Sequence, residues 1–441
     1  MTDFARKAAA ADLGWKGGPL QVGGIPAEEL ARRYGTPLYV YDLSSAAREL
    51  ERLRAAFPRR AGIFYSVKAN PLLALLAFLA RKGCGAEIAS AGELEAALAA
   101  GFPPGRIVFA GPGKRREEHL AGLGAGILAF HVESRGEADR LAGLAGRGRI
   151  PVGLRVNPAP PSRGAGMRMG GGPQPFGWDE EEMEEALDYM KGLGKLEILG
   201  LHANPGTQVL SASALADLYA HLFDLARRAS LRLGRPLRYL DLGGGLGVPL
   251  HEEEEELELD LLRKETESLW EENLGHTVQE VFLEPGRFLA ARAGVYLARV
   301  VDVKTSRGKR FLVLDGGMSS NALAAGTLGQ VFRRNPPVLA AWDPGAPPKG
   351  KATLVGPLCT PLDTLARDLP FPEAGPGDLV AFLRCGAYAF TASHHAFLSH
   401  PVPPEVVILE GQSWLARPER PGRDWLMDQR IPPPLQERKE E

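Results

Sequence analysis

From about residue 38 to residue 290, short apolar runs alternate with longer stretches in which apolar positions recur every three or four residues. The runs predict strands and the stretches predict helices. Pro19–Val22 forms a short first strand, and Ala27–Tyr34 a helix that stops at Gly35-Thr36-Pro37 before the strand Leu38–Tyr41. Asp42 is placed to cap a helix over Ser44–Phe57. Strand Gly62–Val67 then leads to helix Leu72–Lys82, strand Ala86–Ile88 to helix Ala91–Ala100, and strand Ile107–Phe109 to helix Arg116–Gly122. Strands near 127–132, 151–156, 197–202, 238–242 and 281–284, with helices near 135–145, 180–192, 212–233 and 258–274, continue the alternation. Roughly eight β-α units in succession predict a closed (β/α)8 barrel. Beyond about residue 290, Val295–Val303, Arg310–Asp315, Ala352–Val355, Leu379–Phe382 and Glu405–Glu410 read as strands with few helices between. The expected organisation is an N-terminal segment (1–34) that joins a β domain, a barrel (35–292) and an all-β C-terminal domain (293–441). Segments 157–177 and 342–351, rich in Gly and Pro, read as surface loops, and Glu252–Glu256 as a solvated run.

Composition narrows the function. The chain has 441 residues, 44% hydrophobic and 24% charged, with a formal net charge of −2. That balance gives no support for a general nucleic-acid surface. Cys84, Cys359 and Cys385 are spaced as neither a disulfide framework nor a metal knuckle. Nine histidines, including His394-His395 and His400, contain no His-Glu-x-x-His pattern, so no metal is expected. No apolar run is long enough to insert in a membrane and no secretion signal stands at the amino terminus, so a cytoplasmic location is expected.

Candidate chemistry sits where the predicted strands end. Ile63–Asn70 delivers Lys68 at the carboxyl end of an early strand, where a lysine can lose its proton and form a Schiff base. Asp241-Leu242-Gly243-Gly244-Gly245 follows a late strand and suits a phosphate nest, although a plain tight turn reads the same way. The glycines lie too deep in the chain for a dinucleotide fingerprint. Glu284-Pro285-Gly286-Arg287 offers a carboxylate for a pyridine nitrogen and an arginine for phosphate, or simply a structural ion pair. His202 suits ring stacking or proton transfer, or a place in the core, and Thr207 is a candidate phosphate donor.

These residues carry a resemblance. Tyr65–Asn70, Glu87–Glu93, Arg155–Pro158, Gly243–Gly245, Glu284–Arg287, Asp315–Met318, Gly356–Cys359 with Asp363, and Gly386–Tyr388 resemble the pyridoxal-phosphate-dependent amino-acid decarboxylases of the alanine-racemase-like barrel class, which includes diaminopimelate and ornithine decarboxylases. The resemblance implies pyridoxal 5'-phosphate as cofactor, Lys68 as its Schiff-base lysine, and a decarboxylation through a quinonoid intermediate. It implies cofactor contacts from Glu87 and Thr207, His202 stacked on the ring, Glu284 at the pyridine nitrogen, and Gly243, Gly244, Gly245, Gly286 and Arg287 around phosphate. A homodimer with shared active sites is also implied, the partner contributing Cys359, Asp363 and Tyr388. Arg287, Asn321, Cys359, Thr360, Asp363 and Tyr388 would meet the amino-acid substrate, with Cys359 or Lys68 returning a proton.

The departures bear on that substrate. Diaminopimelate decarboxylases carry Cys-Glu-Ser-x-Asp where this chain has Cys359-Thr360-Pro361-Leu362-Asp363, and an arginine after the Gly-Met segment where this chain reads Ser319-Ser320-Asn321. Losing a charged partner costs more than losing an apolar contact, which counts against free diaminopimelate. His202–Gln208 is also longer than the usual His-x-Gly-Ser-Gln. Gly326–Gln330 with Arg333-Arg334-Asn335, and Phe397–Pro401, resemble a narrower branch. It includes decarboxylases of glutamyl groups on an acyl-carrier protein and exosortase-associated relatives. There Arg333-Arg334 would meet an acidic carrier or its phosphate. The alternatives are a diaminopimelate decarboxylase, an amino-acid racemase and a non-catalytic cofactor-binding regulator. A racemase requires loss of optical activity without gas release, and a regulator requires neither.

Overall fold

The computed structural model describes residues 2–159, 167–168, 172–204, 206–326 and 334–436. It divides into two compact units, one built from residues 42–294 and 386–391, the other from residues up to 41, 295–385 and from 392 on.

The first unit is a closed parallel barrel. Its strands are β1 (Ala61–Ser66), β2 (Gly85–Ile88), β3 (Ile107–Phe109), β4 (Ala129–Val132), β5 (Ile150–Asn157), β6 (Leu196–His202), β7 (Leu237–Asp241) and β8 (Val278–Leu283). Each pairs in parallel with the next, and β8 closes on β1 through Val281–Leu283 opposite Ala61–Ile63. Phe64, Val108, Leu199, Tyr239 and Phe282 fill the interior, with the rings of Phe64 and Phe282 4.3 Å apart and those of Tyr239 and Phe282 4.7 Å apart. Each such ring buried contributes about 2–3 kcal/mol. The surrounding helices start where short polar side chains accept first-turn amides. Asp42 accepts from Ser44 before helix Leu43–Ala56, and Ser90, Ser134 and Ser211 accept from Glu93, Glu137 and Ala214. Each cap is worth about 1 kcal/mol and fixes where a strand-end loop must finish.

The second unit is mostly sheet. Its strand path runs Thr364–Pro370, Lys351–Val355, Lys309–Leu314, Gly294–Ser306, Leu38–Asp42, Glu405–Leu409, Gln412–Arg417, with Leu379–Phe382 pairing to Gly294–Ser306 and Val338–Ala340. The strand expected at Leu38–Tyr41, within the 35–292 barrel segment, stands as Leu38–Asp42 in this sheet, and the division falls after Tyr41 rather than after residue 34. All five of its residues are buried, so its run of apolar residues reads the same in a barrel or a central sheet position. The unit also holds helix Asp3–Leu13, whose Asp12 pairs with Arg384 in a buried ion pair. No helix among the described residues is long and apolar enough to cross a membrane.

Candidate active site

At the carboxyl end of β1 the chain tightens into a 3-10 turn, Val67–Ala69, that presents Lys68. Asn70 pins this turn. Its side-chain oxygen accepts from Leu72 N–H at 3.0 Å and its amide donates to the Gly386 carbonyl at 2.9 Å. Lys68 Nζ donates to Glu87 at the end of β2, 3.1 Å from Oε2, and Ser66 Oγ donates to the same oxygen. Burial, the largest single influence, would lower the pKa of Lys68, but Glu87, Tyr388 and Glu284 together outweigh it and hold the ammonium above the ordinary lysine range. The side chain is still 42% exposed, and the net of these opposing influences leaves it charged.

Across the barrel mouth lies a buried polar group. His202 ends β6, Asp241 ends β7 and Glu284 follows β8; His131 comes up from β4. His202 Nε2 is 3.3 Å from Glu284 Oε2, and the His202 ring stacks on His131 with centroids 4.2 Å apart and planes 16° apart. Burial, with the Arg155 cation next in weight, pushes the pKa of His202 well down, so the imidazole is neutral. Burial, with the nearby Glu284 carboxylate, pushes Asp241 well up, so its carboxyl keeps a proton, although a Gly243 N–H pulls the other way. Two such acids cannot both ionise in one dry site. The four side chains offer donor atoms within 4.8 Å of one another, but parallel stacked imidazoles aim their lone pairs side by side rather than at one ion.

The glycine segment shapes the rest. Gly243 and Gly245 have φ of 69° and 100°, and a Cβ on Gly244 would stand 2.9 Å from the Glu284 carbonyl. The Gly244 and Gly245 N–H groups make no hydrogen bond among the described residues. Gly206–Thr207 packs against this turn, held by Gln208, which accepts from Val248 N–H and donates to its carbonyl. Gly286 is equally tight, because a Cβ there would reach 2.9 Å from Ala69 Cβ. Arg287 is half-buried, its guanidinium 4.8 Å from the ring centroid of Tyr388, and Tyr388 N–H donates to the Ala69 carbonyl at 2.8 Å. Residues 386–391 thus return to the barrel, so Tyr388 reaches this site from its own chain and not from a partner, correcting that expectation.

Glu284 Oε1, Arg287 Nε and Nη1, Asp241 Oδ2 and all four ring nitrogens of His131 and His202 are buried without a hydrogen-bond partner. Orphans at this density cost about 1–3 kcal/mol each unless a ligand satisfies them. A carboxylate for a ring nitrogen, a flat neutral imidazole, a glycine turn and an arginine fit a phosphorylated aromatic ring reaching toward Lys68. A sequence profile described as "Pyridoxal-dependent decarboxylase, pyridoxal binding domain" matches residues 43–291. The chain belongs to that family. This pyridoxal-dependent decarboxylase is 34% identical over 395 residues to the L-glutamyl-[BtrI acyl-carrier protein] decarboxylase of Niallia circulans, covering 88% of this chain and 92% of that protein. It is also 34% identical over 419 residues to the diaminopimelate decarboxylase of Aquifex aeolicus, covering 94% and 96%. The solved diaminopimelate decarboxylase of M. jannaschii in complex with L-lysine superposes with a TM-score of 0.87 at 26% identity, over 95% of this chain and 97% of that one.

The remaining candidates lie in the β unit. Asp363 accepts from Met318 N–H at 2.5 Å and Leu358 N–H at 2.8 Å, tying loop 356–363 to the turn at Met318. Asn321 is fully buried, its amide 3.5 Å from Cys385 Sγ and its oxygen accepting from Ala324 N–H. Cys359 is exposed, and Thr360 lines a cavity of about 420 Å3 with Lys309, Thr353 and Arg367. Arg333 and residues 327–330 lie outside the described residues. His131, Asp241, Ser66 and Asn70 had no assigned role in the sequence. A histidine one residue short of the end of the strand Ala129–Val132 was the available signal for the first of them.

Proposed function

We propose that this decarboxylase acts on a glutamyl or related amino-acid group carried by an acyl-carrier protein. The observation that carries this reading is the missing distal charge. Segment 318–325 has no ionisable side chain, and in segment 356–363 the sole carboxylate, Asp363, spends both oxygens on backbone amides. A free diamino diacid would meet no charged reader in either segment, whereas a substrate tethered at its far end needs none. The likeness to the Niallia circulans enzyme supports the same reading. Equal identity to a diaminopimelate decarboxylase over more of the chain favours a second reading, turnover of the free amino acid.

When bound, pyridoxal phosphate supplies the electron sink that lets the α-carboxylate leave as carbon dioxide. Lys68 Nζ would anchor the cofactor aldehyde, and Glu87 holds that amine in place. His202 would present one neutral face to its ring, and the unpartnered Glu284 Oε1 would keep a proton on its pyridine nitrogen. Gly244 N–H, Gly245 N–H, Arg287 and Thr207 would hold its phosphate, with Tyr388 against Arg287. A carboxylate at the ring nitrogen favours full charge delocalisation, which suits decarboxylation over racemisation. A second copy of the chain completes the site, bringing exposed Cys359 and Thr360; Cys359 or Lys68 returns the proton. The test is product mass analysis with carbon-dioxide detection across free diaminopimelate, lysine, ornithine, arginine, glutamate and carrier-linked glutamate. Turnover of carrier-linked glutamate alone supports the proposal, and turnover of free diaminopimelate transfers the protein to the second reading.

A further inference from the structure

Below His202 and Glu284 lies an inner tier that the chemistry above does not use. His131 and Asp241 are both completely buried, and His131 Nε2 is 3.9 Å from Asp241 Oδ2. The barrel therefore holds two imidazole–carboxyl pairs stacked one behind the other, His202 with Glu284 outside and His131 with Asp241 inside. Space for the inner imidazole is made deliberately. A Cβ on Gly153 of β5 would stand 3.0 Å from His131 Cδ2 and would collide with the Tyr239 hydroxyl. An apolar side chain at 131 would fill this position without the cost of burying two ring nitrogens that find no partner.

We infer that His131 is a positioning residue for the cofactor, backing His202 so that the opposite face of that imidazole is held flat for the pyridine ring. This rests on the reading that His202 carries that ring. The charged and titratable groups around His131 are Lys114, which donates to the His131 carbonyl at 2.9 Å, Arg155 on β5, His202 on β6, Tyr239 and Asp241 on β7, and Glu284 after β8. Burial, then His202, keeps His131 well below the ordinary histidine pKa, against the pull of Glu284. An uncharged inner ring leaves the Glu284 carboxylate free for the pyridine nitrogen, where an imidazolium would compete for it.

The experiment titrates cofactor-free protein with pyridoxal phosphate and reads the dissociation constant and the pH midpoint of the visible absorbance band. The variants are His131→Asn, His131→Phe, His131→Leu and His202→Ala. His131→Asn and His131→Leu, which lack an aromatic ring, are expected to weaken binding about three- to tenfold, the range an aromatic pair is worth. His131→Phe, which keeps a ring, should stay within about threefold of wild type, although its absorbance midpoint should shift with the changed field at Glu284. Wild-type affinity in both ringless variants overturns the inference, as does equal loss in His131→Phe and His131→Leu. If His131→Asn fails to fold, the comparison of the Phe and Leu variants decides alone. Unchanged binding in His202→Ala overturns the underlying reading of His202, and this inference with it.

Discussion

The barrel mouth and the loop Gly356–Asp363 both look like sites in the sequence, yet they handle polar atoms in opposite ways. In the barrel mouth, Glu284, Arg287, His202 and Asp241 have buried lone pairs or N–H groups left over. In the β unit, Asp363 and Asn321 are just as inaccessible but have used their capacity on neighbouring backbone and on Cys385. Folding tolerates unsatisfied buried groups only where something else meets them, so the first arrangement marks a binding site and the second a scaffold. The scaffold has its own purpose, since pinning both ends of the loop leaves Cys359 exposed in a fixed place.

Substitutions break this comparison at different strengths. Lys68→Ala should abolish both the visible absorbance of bound cofactor and turnover, read by spectrophotometry and carbon-dioxide release. Glu284→Gln should keep cofactor bound while lowering kcat by about 10^2- to 10^3-fold, as expected for one preorganised electrostatic group. Cys359→Ala should slow turnover by about 10^2-fold, the low end for a proton donor, without loss of cofactor. Mixing it with Lys68→Ala subunits should restore activity if sites are shared. Asp363→Ala should cost about 1–3 kcal/mol of stability in a denaturant melt, because two backbone amides lose their acceptor, while the barrel's absorbance persists.

The smallest effect is a pH dependence. Burial pushes Glu93, beside Glu87 and Lys68, up to about 7, although an N–H from Ala89 pulls it down. A carboxyl raised in the folded state holds its proton more tightly there than in the unfolded chain. Its contribution to stability is therefore present below the ordinary carboxylate range and falls as pH rises toward 7. Glu93→Gln, which still accepts from Ala89, should melt slightly higher than wild type at pH 8 and equally at pH 4. Partial solvent access limits the difference to about 1 kcal/mol.

Much of the barrel was legible because its signals are local. Strand-then-helix periodicity and the polar cap Asp42 place the barrel elements within about three residues of where they stand. The family motifs located Lys68, His202, Glu284 and Arg287, and all four do converge at the barrel mouth. What could not be read depends on distant pairing. Leu38–Asp42 is buried on both faces and carries no mark of which sheet it joins. Thr364–Pro370 is a strand through its pairing with Lys351–Val355, although Arg367-Asp368 interrupt its apolar pattern. Helix Asp3–Leu13 had a cap at Thr2 and a left-handed Gly14 to announce it, but its alanine-rich face gives little amphipathic contrast. His131 and Asp241 were hidden for a related reason, because a polar residue at a strand end shows its neighbours only after the barrel closes.

The most direct measurement is to load the protein with pyridoxal phosphate, reduce it with borohydride and map the modified peptide by mass spectrometry. The account predicts a single pyridoxyl group on Lys68, lost in Lys68→Ala while that variant still folds. Modification of another lysine such as Lys114, or none at all, would contradict it.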